Sequence, residues 1–266
     1  MIRFLNVAGT AQRLLGVLIL LPVIAVIFFN QTSASLVLFV VSIIMGLEAR
    51  RILPLPPVIG AIVAALIAVT ALPDVIFAFQ YKIFLGFGIA VIVGATVAVY
   101  SALLTAFFAM VLCVCLAFIT AMIMQPGGNI TLVNLAVIIA ACDSAAYFAG
   151  RQFGGPKLMP SVSPNKTVSG AVFGLIAAIL VAGLLTGLFG GSLGAFLTVP
   201  SLLHGVILGA GLGVLSQVGD LFESAVKRKL GVKDSGSILP GHGGLLDRFD
   251  GYLLAGPALY LYLYGF

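Results

Sequence analysis

Charge is what this sequence has least of. Only 8% of its 266 residues are Asp, Glu, Lys or Arg, against 62% hydrophobic, whereas soluble domains carry roughly a quarter charged residues. A soluble domain is excluded, and the apolar surface must face lipid. The net charge of +5 could suggest nucleic acid, but such binders present a basic patch on a water-soluble fold. These cations instead punctuate apolar runs, so no nucleic-acid partner is expected. Cysteine is scarce as well: Cys113, Cys115 and Cys142 all lie within apolar runs, which implies no disulfide framework and reads as buried thiols packing as small hydrophobes. Paired Cys or His ligands are missing, which argues against structural zinc. No internal repeat of about 20–50 residues is evident, and no small-residue cleavage site closes the first apolar run, so that run is expected to be a retained span.

Long apolar runs are what the sequence has in abundance. A helix crossing the hydrocarbon needs about 20 apolar residues, and nine candidates occur: Leu14–Phe29, Ser33–Leu47, Val58–Leu72, Ile83–Tyr100, Ala102–Met124, Leu132–Gly150, Val168–Phe189, Val199–Gly219 and Gly251–Phe266. The second and third are short or Pro-flanked, and one long run is divided at Tyr100–Ser101. The expected fold is all-α, a polytopic transmembrane protein of about nine spans, with eight as the alternative. It is read as one transmembrane domain over residues 1–266, with N-terminal spans in 1–131 and the catalytic spans with their cytoplasmic loops in 132–266. Cytoplasmic loops collect Lys and Arg. With nine spans and the N-terminus inside, 12 of the 13 cations fall inside and only Lys82 falls outside. That parity puts the polar loops Arg151–Thr167 and Asp220–Asp250 in the cytoplasm.

Acids are rarer still: Glu48, Asp74, Asp143, Asp220, Glu223, Asp234, Asp247 and Asp250, of which five lie in Asp220–Asp250. A carboxylate at membrane depth is costly and therefore a functional candidate. If the eighth span continues as helix, Asp220, Glu223, Ser224 and Lys227 share a face; a solvated helix end with ion pairs is the alternative. Asp247 and Asp250, three residues apart, would sit on one face, where like charges repel unless a cation intervenes. Mg²⁺ suits such a pair, since it prefers oxygen ligands and is typically held by one or two carboxylates plus substrate phosphates. Neutralisation by Arg248 and the headgroup zone is the alternative. Gly241–Gly244 offers bare N–H groups before a helix, an anion-accepting geometry, and Lys227, Arg228, Lys229 and Lys233 precede it. Phosphate donors beside metal-binding acids form the layout that phosphoryl or nucleotidyl transfer requires, although a basic run alone is also a topology anchor. Asp143, Tyr147 and Arg151 recur every four residues, as a site or as an interhelical tie. Ser163-Pro164-Asn165-Lys166-Thr167 opens the seventh span with a turn at Pro164, and Lys166 points to the headgroup zone or merely snorkels. His242 is a possible general base or a hydrogen-bond donor to phosphate. His204 is read as a packing residue, and Glu48 with Arg50 and Arg51 as an ordinary loop.

The series Ser224-Ala225-Val226-Lys227-Arg228, Lys233-Asp234, Pro240-Gly241-His242-Gly243-Gly244 and Asp247-Arg248-Phe249-Asp250 resembles the signature of the phosphatidate cytidylyltransferases, also called CDP-diacylglycerol synthases. The signature spans 27 residues without a departure, and the Asp143 region and Ser163–Thr167 also look like family segments. The resemblance implies transfer of a cytidylyl group from CTP to phosphatidate with release of pyrophosphate, a requirement for Mg²⁺, and a helical, homodimeric protein of the bacterial inner membrane whose active site faces the cytoplasm. It implies Asp220, Asp247 and Asp250 as metal ligands, with Asp143 a ligand or supporting residue. Lys166, Lys227, Arg228, Lys233 and Arg248 would orient phosphates, with Ser224, Gly243 and Gly244 in the substrate site and Lys227 and His242 in the catalytic set. Asp247→Asn is then expected to abolish turnover and leave folding intact. Other readings are a cytidylyltransferase or kinase acting on another membrane lipid, or an ion-coupled transporter, which would spread polar residues through several spans and both sets of loops. A CDP-alcohol phosphotransferase is disfavoured, because Asp250-Gly251 is not followed by that family's Ala-Arg and spaced aspartates.

Overall fold

The computed structural model describes residues 22, 25–72, 79–188, 202–236, 238 and 243–264. Each apolar run within them becomes a helix, as backbone polar groups in lipid must be satisfied within the segment. The helices are α1 (Gln31–Ile52), α2 (Pro57–Val69), α3 (Phe79–Tyr100), α4 (Leu103–Ile123), α5 (Gly128–Phe153), α6 (Val168–Leu188), α7 (Leu202–Lys229), α8 (Leu246–Phe249) and α9 (Tyr252–Tyr264). Six of them, α1 and α3 to α7, are long and apolar enough to cross a membrane, so the chain is an all-α membrane protein. The first expected span lies largely outside the described residues. The break expected at Tyr100–Ser101 is present, with Ala102 as the extended residue before α4.

One expected span is shorter than the sequence suggested. Helix α2 has 13 residues: it starts at Pro57, one residue before the expected span, but ends at Val69 with Thr70 as its C-cap, short of the expected Leu72. The described part of α9 has 13 residues, with Pro257 inside it, and the last two residues of the expected ninth span lie outside the described residues. At about 1.5 Å per residue, 13 residues cover about 20 Å of a hydrocarbon core about 30 Å thick.

Helix α4 is the centre of the bundle. Phe108, Leu112, Leu116, Ile119, Met122 and Ile123 are almost fully buried, and α1, α3, α5, α7 and α9 pack on it. The outer helices turn apolar side chains outward, among them Phe84, Val99, Leu180 and Ile207, as lipid rather than water requires. The pairs α5–α6 and α6–α7 pack closely over small residues, as membrane helices do: a Cβ on Gly170 would stand 2.6 Å from the Ala146 carbonyl oxygen, and one on Gly209 2.6 Å from that of Ala178. Cys113, Cys115 and Cys142 are buried free thiols, in agreement with the sequence reading.

The hydrogen bonds distinguish the two ends of the bundle. At one end Gln31 donates to the Gln125 carbonyl and Asn129 to those of Ile27 and Phe28. The opposite end gathers the C-terminal ends of α1, α5 and α7, the starts of α6 and α8, and a β-hairpin. The hairpin adds a small two-stranded ribbon to the all-α fold and corrects one expectation, that the chain turns at Pro164. Lys157–Met159 (β1) and Ser163–Thr167 (β2) pair antiparallel, Lys157 with Thr167 and Met159 with Ser163. The turn falls one step earlier, where Val162 N donates to the Met159 carbonyl at 3.1 Å. Pro164 is accommodated because a two-stranded ribbon has free edges, where a missing N–H leaves no ladder bond unmade.

Candidate active site

Helix α7 does continue past its apolar part, to Lys229. Its face divides into two pairs. Ser224 Oγ donates to Asp220 Oδ1 at 3.4 Å, and Lys227 Nζ lies 3.2 Å from Glu223 Oε1. Gly219 lets the chain after α8 pass closely: a Cβ there would stand 2.5 Å from the Asp250 carbonyl oxygen. This contact sets Asp250 directly beside the residue preceding Asp220.

Three acids from three elements converge there. Asp143 of α5 feels the charges of Asp220, Lys166 and Arg248, and Asp250 those of Asp220 and Asp143. Lys166 of β2 forms an ion pair with Asp220. Asp250 accepts from its neighbour, Gly251 N, at 2.7 Å. The protein packed round Asp250 and then the negative charges of Asp220 and Asp143 push its carboxyl up to about 8. Confined like charges of this kind are relieved by a cation. Among the described residues no three His, Cys, Asp or Glu side chains form a ready-made metal cage. The donor set fits a hard cation that keeps waters and brings phosphate oxygens with it.

Asp247 is differently placed. Its Oδ1 accepts from Lys227 Nζ at 2.7 Å and from Ser235 N at 3.1 Å, and its Oδ2 from Ser235 N at 3.0 Å and Gly244 N at 2.8 Å. A carboxylate has about four acceptor positions, and these contacts engage them all. Burial works to raise the Asp247 carboxyl, but the Lys227 ammonium with the Gly244 and Ser235 N–H groups outweighs it and holds the acid below its ordinary range. The one-face pairing of Asp247 with Asp250 is therefore resolved into two environments. Asp250 faces acids, and Asp247 faces donors.

The remaining expected residues fall around these two groups. Arg228 is exposed and ties the hairpin to the following loop, donating to the Val162 and Val232 carbonyls at 3.2 Å each. Lys233 and Arg248 are exposed. Gly243 has φ +80°, and a Cβ there would stand 2.8 Å from Asp247 Oδ2, so the position needs glycine both for backbone and for room. Gly244 is buried. Arg151 donates to Tyr147 Oη at 3.3 Å. His242 lies outside the described residues.

Glu48 was missed, and its reading as a loop is corrected. It lies in the last turns of α1 and is fully buried. Its Oε1 accepts from Leu245 N at 3.0 Å and its Oε2 from Leu246 N at 2.8 Å and Ser235 Oγ at 3.3 Å. The adjacent Arg50 and Arg51 make the acid look like part of a charged connector; the one signal against that was that the apolar run could extend through it.

Fold and site together define a multi-span helical membrane protein with carboxylates and lysines gathered at one end of its bundle. The pattern of the cytidylyltransferase family matches residues 11–266, and the chain belongs to that family. Its curated relatives include the phosphatidate cytidylyltransferase of Brucella suis biovar 1, 48% identical over 138 residues, covering 52% of this chain and 48% of the relative. Those of Bacillus subtilis and Haemophilus influenzae are 41% identical over 127 residues and 40% over 139, covering 48% and 52% of this chain and 45% and 47% of the relatives. The matched chain spans about half the length of these curated relatives.

Proposed function

We propose that the chain transfers the cytidylyl group of CTP to phosphatidate, giving CDP-diacylglycerol and pyrophosphate. The observation that carries this reading is the meeting of Asp143, Asp220 and Asp250 with Lys166 and Arg248 at the bundle end where the lysine-rich C-terminus of α7 lies. A phosphate oxygen of the lipid attacks the α-phosphorus of CTP and pyrophosphate leaves, with no protein nucleophile. Such a reaction needs positioning and charge neutralisation. Asp220, Asp250 and Asp143 would hold Mg²⁺, which supplies charge neutralisation to the triphosphate when bound. Asp247 joins them only where Lys227 exchanges it for a substrate phosphate. Lys166, drawn from Asp220 in the same way, and Arg248 orient phosphates, together with Lys233 from the exposed loop.

Purified protein incubated with labelled CTP, phosphatidate and Mg²⁺ is expected to form a labelled CDP-lipid and pyrophosphate, and to stop when chelator is added. No CDP-lipid would defeat the reading; a phosphorylated lipid with release of CDP would make the chain a kinase.

The topology that accompanies this function has nine spans, the N-terminus inside and the site facing the cytoplasm, in the inner membrane of a bacterium, with two copies as a homodimer. The support is the one-sided charge: Arg50, Arg51, Arg151, Lys157, Lys166, Lys227 and the residues that follow it all lie at the site end. A reporter fused after Phe266 is expected to signal from outside. A cytoplasmic signal would overturn the nine-span parity.

A further inference from the structure

We infer that Glu48 is a positioning residue for the active site, a buried carboxylate on α1 that holds Ser235 and the turn at Leu245–Leu246 in the arrangement that presents Asp247 to Lys227. This inference rests on the proposed function for its catalytic consequence, though not for its structural one. An ionised carboxylate removed from solvent is costly unless it is hydrogen-bonded. Glu48 is fully buried, and its three hydrogen bonds within the described residues all come from neutral donors of one segment, Ser235, Leu245 and Leu246. The partners lie 187 to 198 residues away in sequence, so the contact joins the N-terminal helices to the catalytic end.

The chain at Gly236 and at Gly244 fits closely round this carboxylate. A Cβ on Gly236 would stand 2.5 Å from Glu48 Oε1, and one on Gly244 2.8 Å from Glu48 Oε2. Ser235 serves both acids, giving its hydroxyl to Glu48 and its N–H to Asp247. Gly244 N donates to Asp247 while the next two N–H groups donate to Glu48. Two carboxylates thus divide the donors of one turn, and α8, with only four residues, is too short to set its own direction by helix packing. Without Glu48 the turn can rotate, and Asp247 loses the fixed relation to Lys227 on which phosphate exchange depends.

The test compares the wild-type full chain with Glu48→Gln and Ser235→Ala in lipid nanodiscs, reading amide hydrogen exchange and CTP-dependent turnover on each. Glu48→Gln keeps the size and one acceptor but turns an NH₂ toward a backbone donor. It is expected to raise exchange at Ser235 and at Gly244–Leu246 while α4 and α6 stay protected, and to lower kcat about 10- to 100-fold, as misplacement of a reacting group does. Ser235→Ala, which removes one hydroxyl, is expected to move both readouts the same way by less, and stands in if Glu48→Gln fails to fold. Wild-type exchange and kcat in both variants would overturn the inference. A uniform rise of exchange in every helix, with kcat per folded molecule unchanged, would overturn it equally by making Glu48 a residue of global stability alone. Absence of CDP-lipid in wild type would defeat the proposed function, while the exchange measurement would still decide what Glu48 holds.

Discussion

Asp247→Asn is expected to lower CDP-lipid formation by at least about 100-fold, the scale of losing one preorganised electrostatic group, and to destabilise the protein by about 1–3 kcal/mol. The second effect departs from what the signature alone suggests, that the fold stays intact. Asn keeps one oxygen, but its NH₂ must face Lys227 and Ser235 N or Ser235 N and Gly244 N, all of them donors. One or two buried N–H groups then go unsatisfied, and such groups carry their full desolvation cost. Lys227 keeps Glu223 at 3.2 Å, which limits the damage and lets the variant fold. Turnover with labelled CTP and thermal unfolding of the same preparation check both effects. Wild-type turnover would remove Asp247 from the machinery, and unchanged stability would mean that its four contacts rearrange freely.

The helices were legible, though not all of their ends, because lipid imposes a simple rule on sequence: long apolar runs, few charges, cations near the ends. The extension of α7 through Asp220 and Lys227 was visible as a spacing of polar residues, and the gathering of the acids as a count. Spacing could not show direction. Asp247 and Asp250 are three residues apart, yet their carboxyls meet opposite surroundings, because α8 is short and Gly219 draws the Asp250 backbone against α7. The β-hairpin was hidden by its brevity and by Pro164, which signals a turn in isolation and here lies in a strand. Glu48 was hidden for a different reason. Its partners are mostly backbone N–H groups, which no side-chain pattern encodes, at a separation across which sequence order says nothing about contact.

The other large effect concerns Lys227, and it separates folding from chemistry at the same residue. Lys227→Met is expected to cost about 3–5 kcal/mol, the range for breaking a buried ion pair by removing one partner. Glu223 is 1% exposed and Asp247 8% exposed on their side chains, so both buried acids would be left close together and without their cation. The two acids are unequal in what they retain. Asp247 still accepts from Ser235 N and Gly244 N, whereas no hydrogen bond of good geometry reaches either oxygen of Glu223. The greater part of the strain should therefore sit on Glu223. Adding Glu223→Gln to Lys227→Met is expected to restore about half of the lost stability, as replacing a buried acid that has lost its cation by a neutral side chain does, and to leave turnover at the level of Lys227→Met alone. Thermal unfolding of the two variants, with turnover measured per folded molecule, decides the matter. Recovery of turnover with stability would make Lys227 a structural counter-ion only; recovery of stability without turnover places its ammonium in the handling of phosphate.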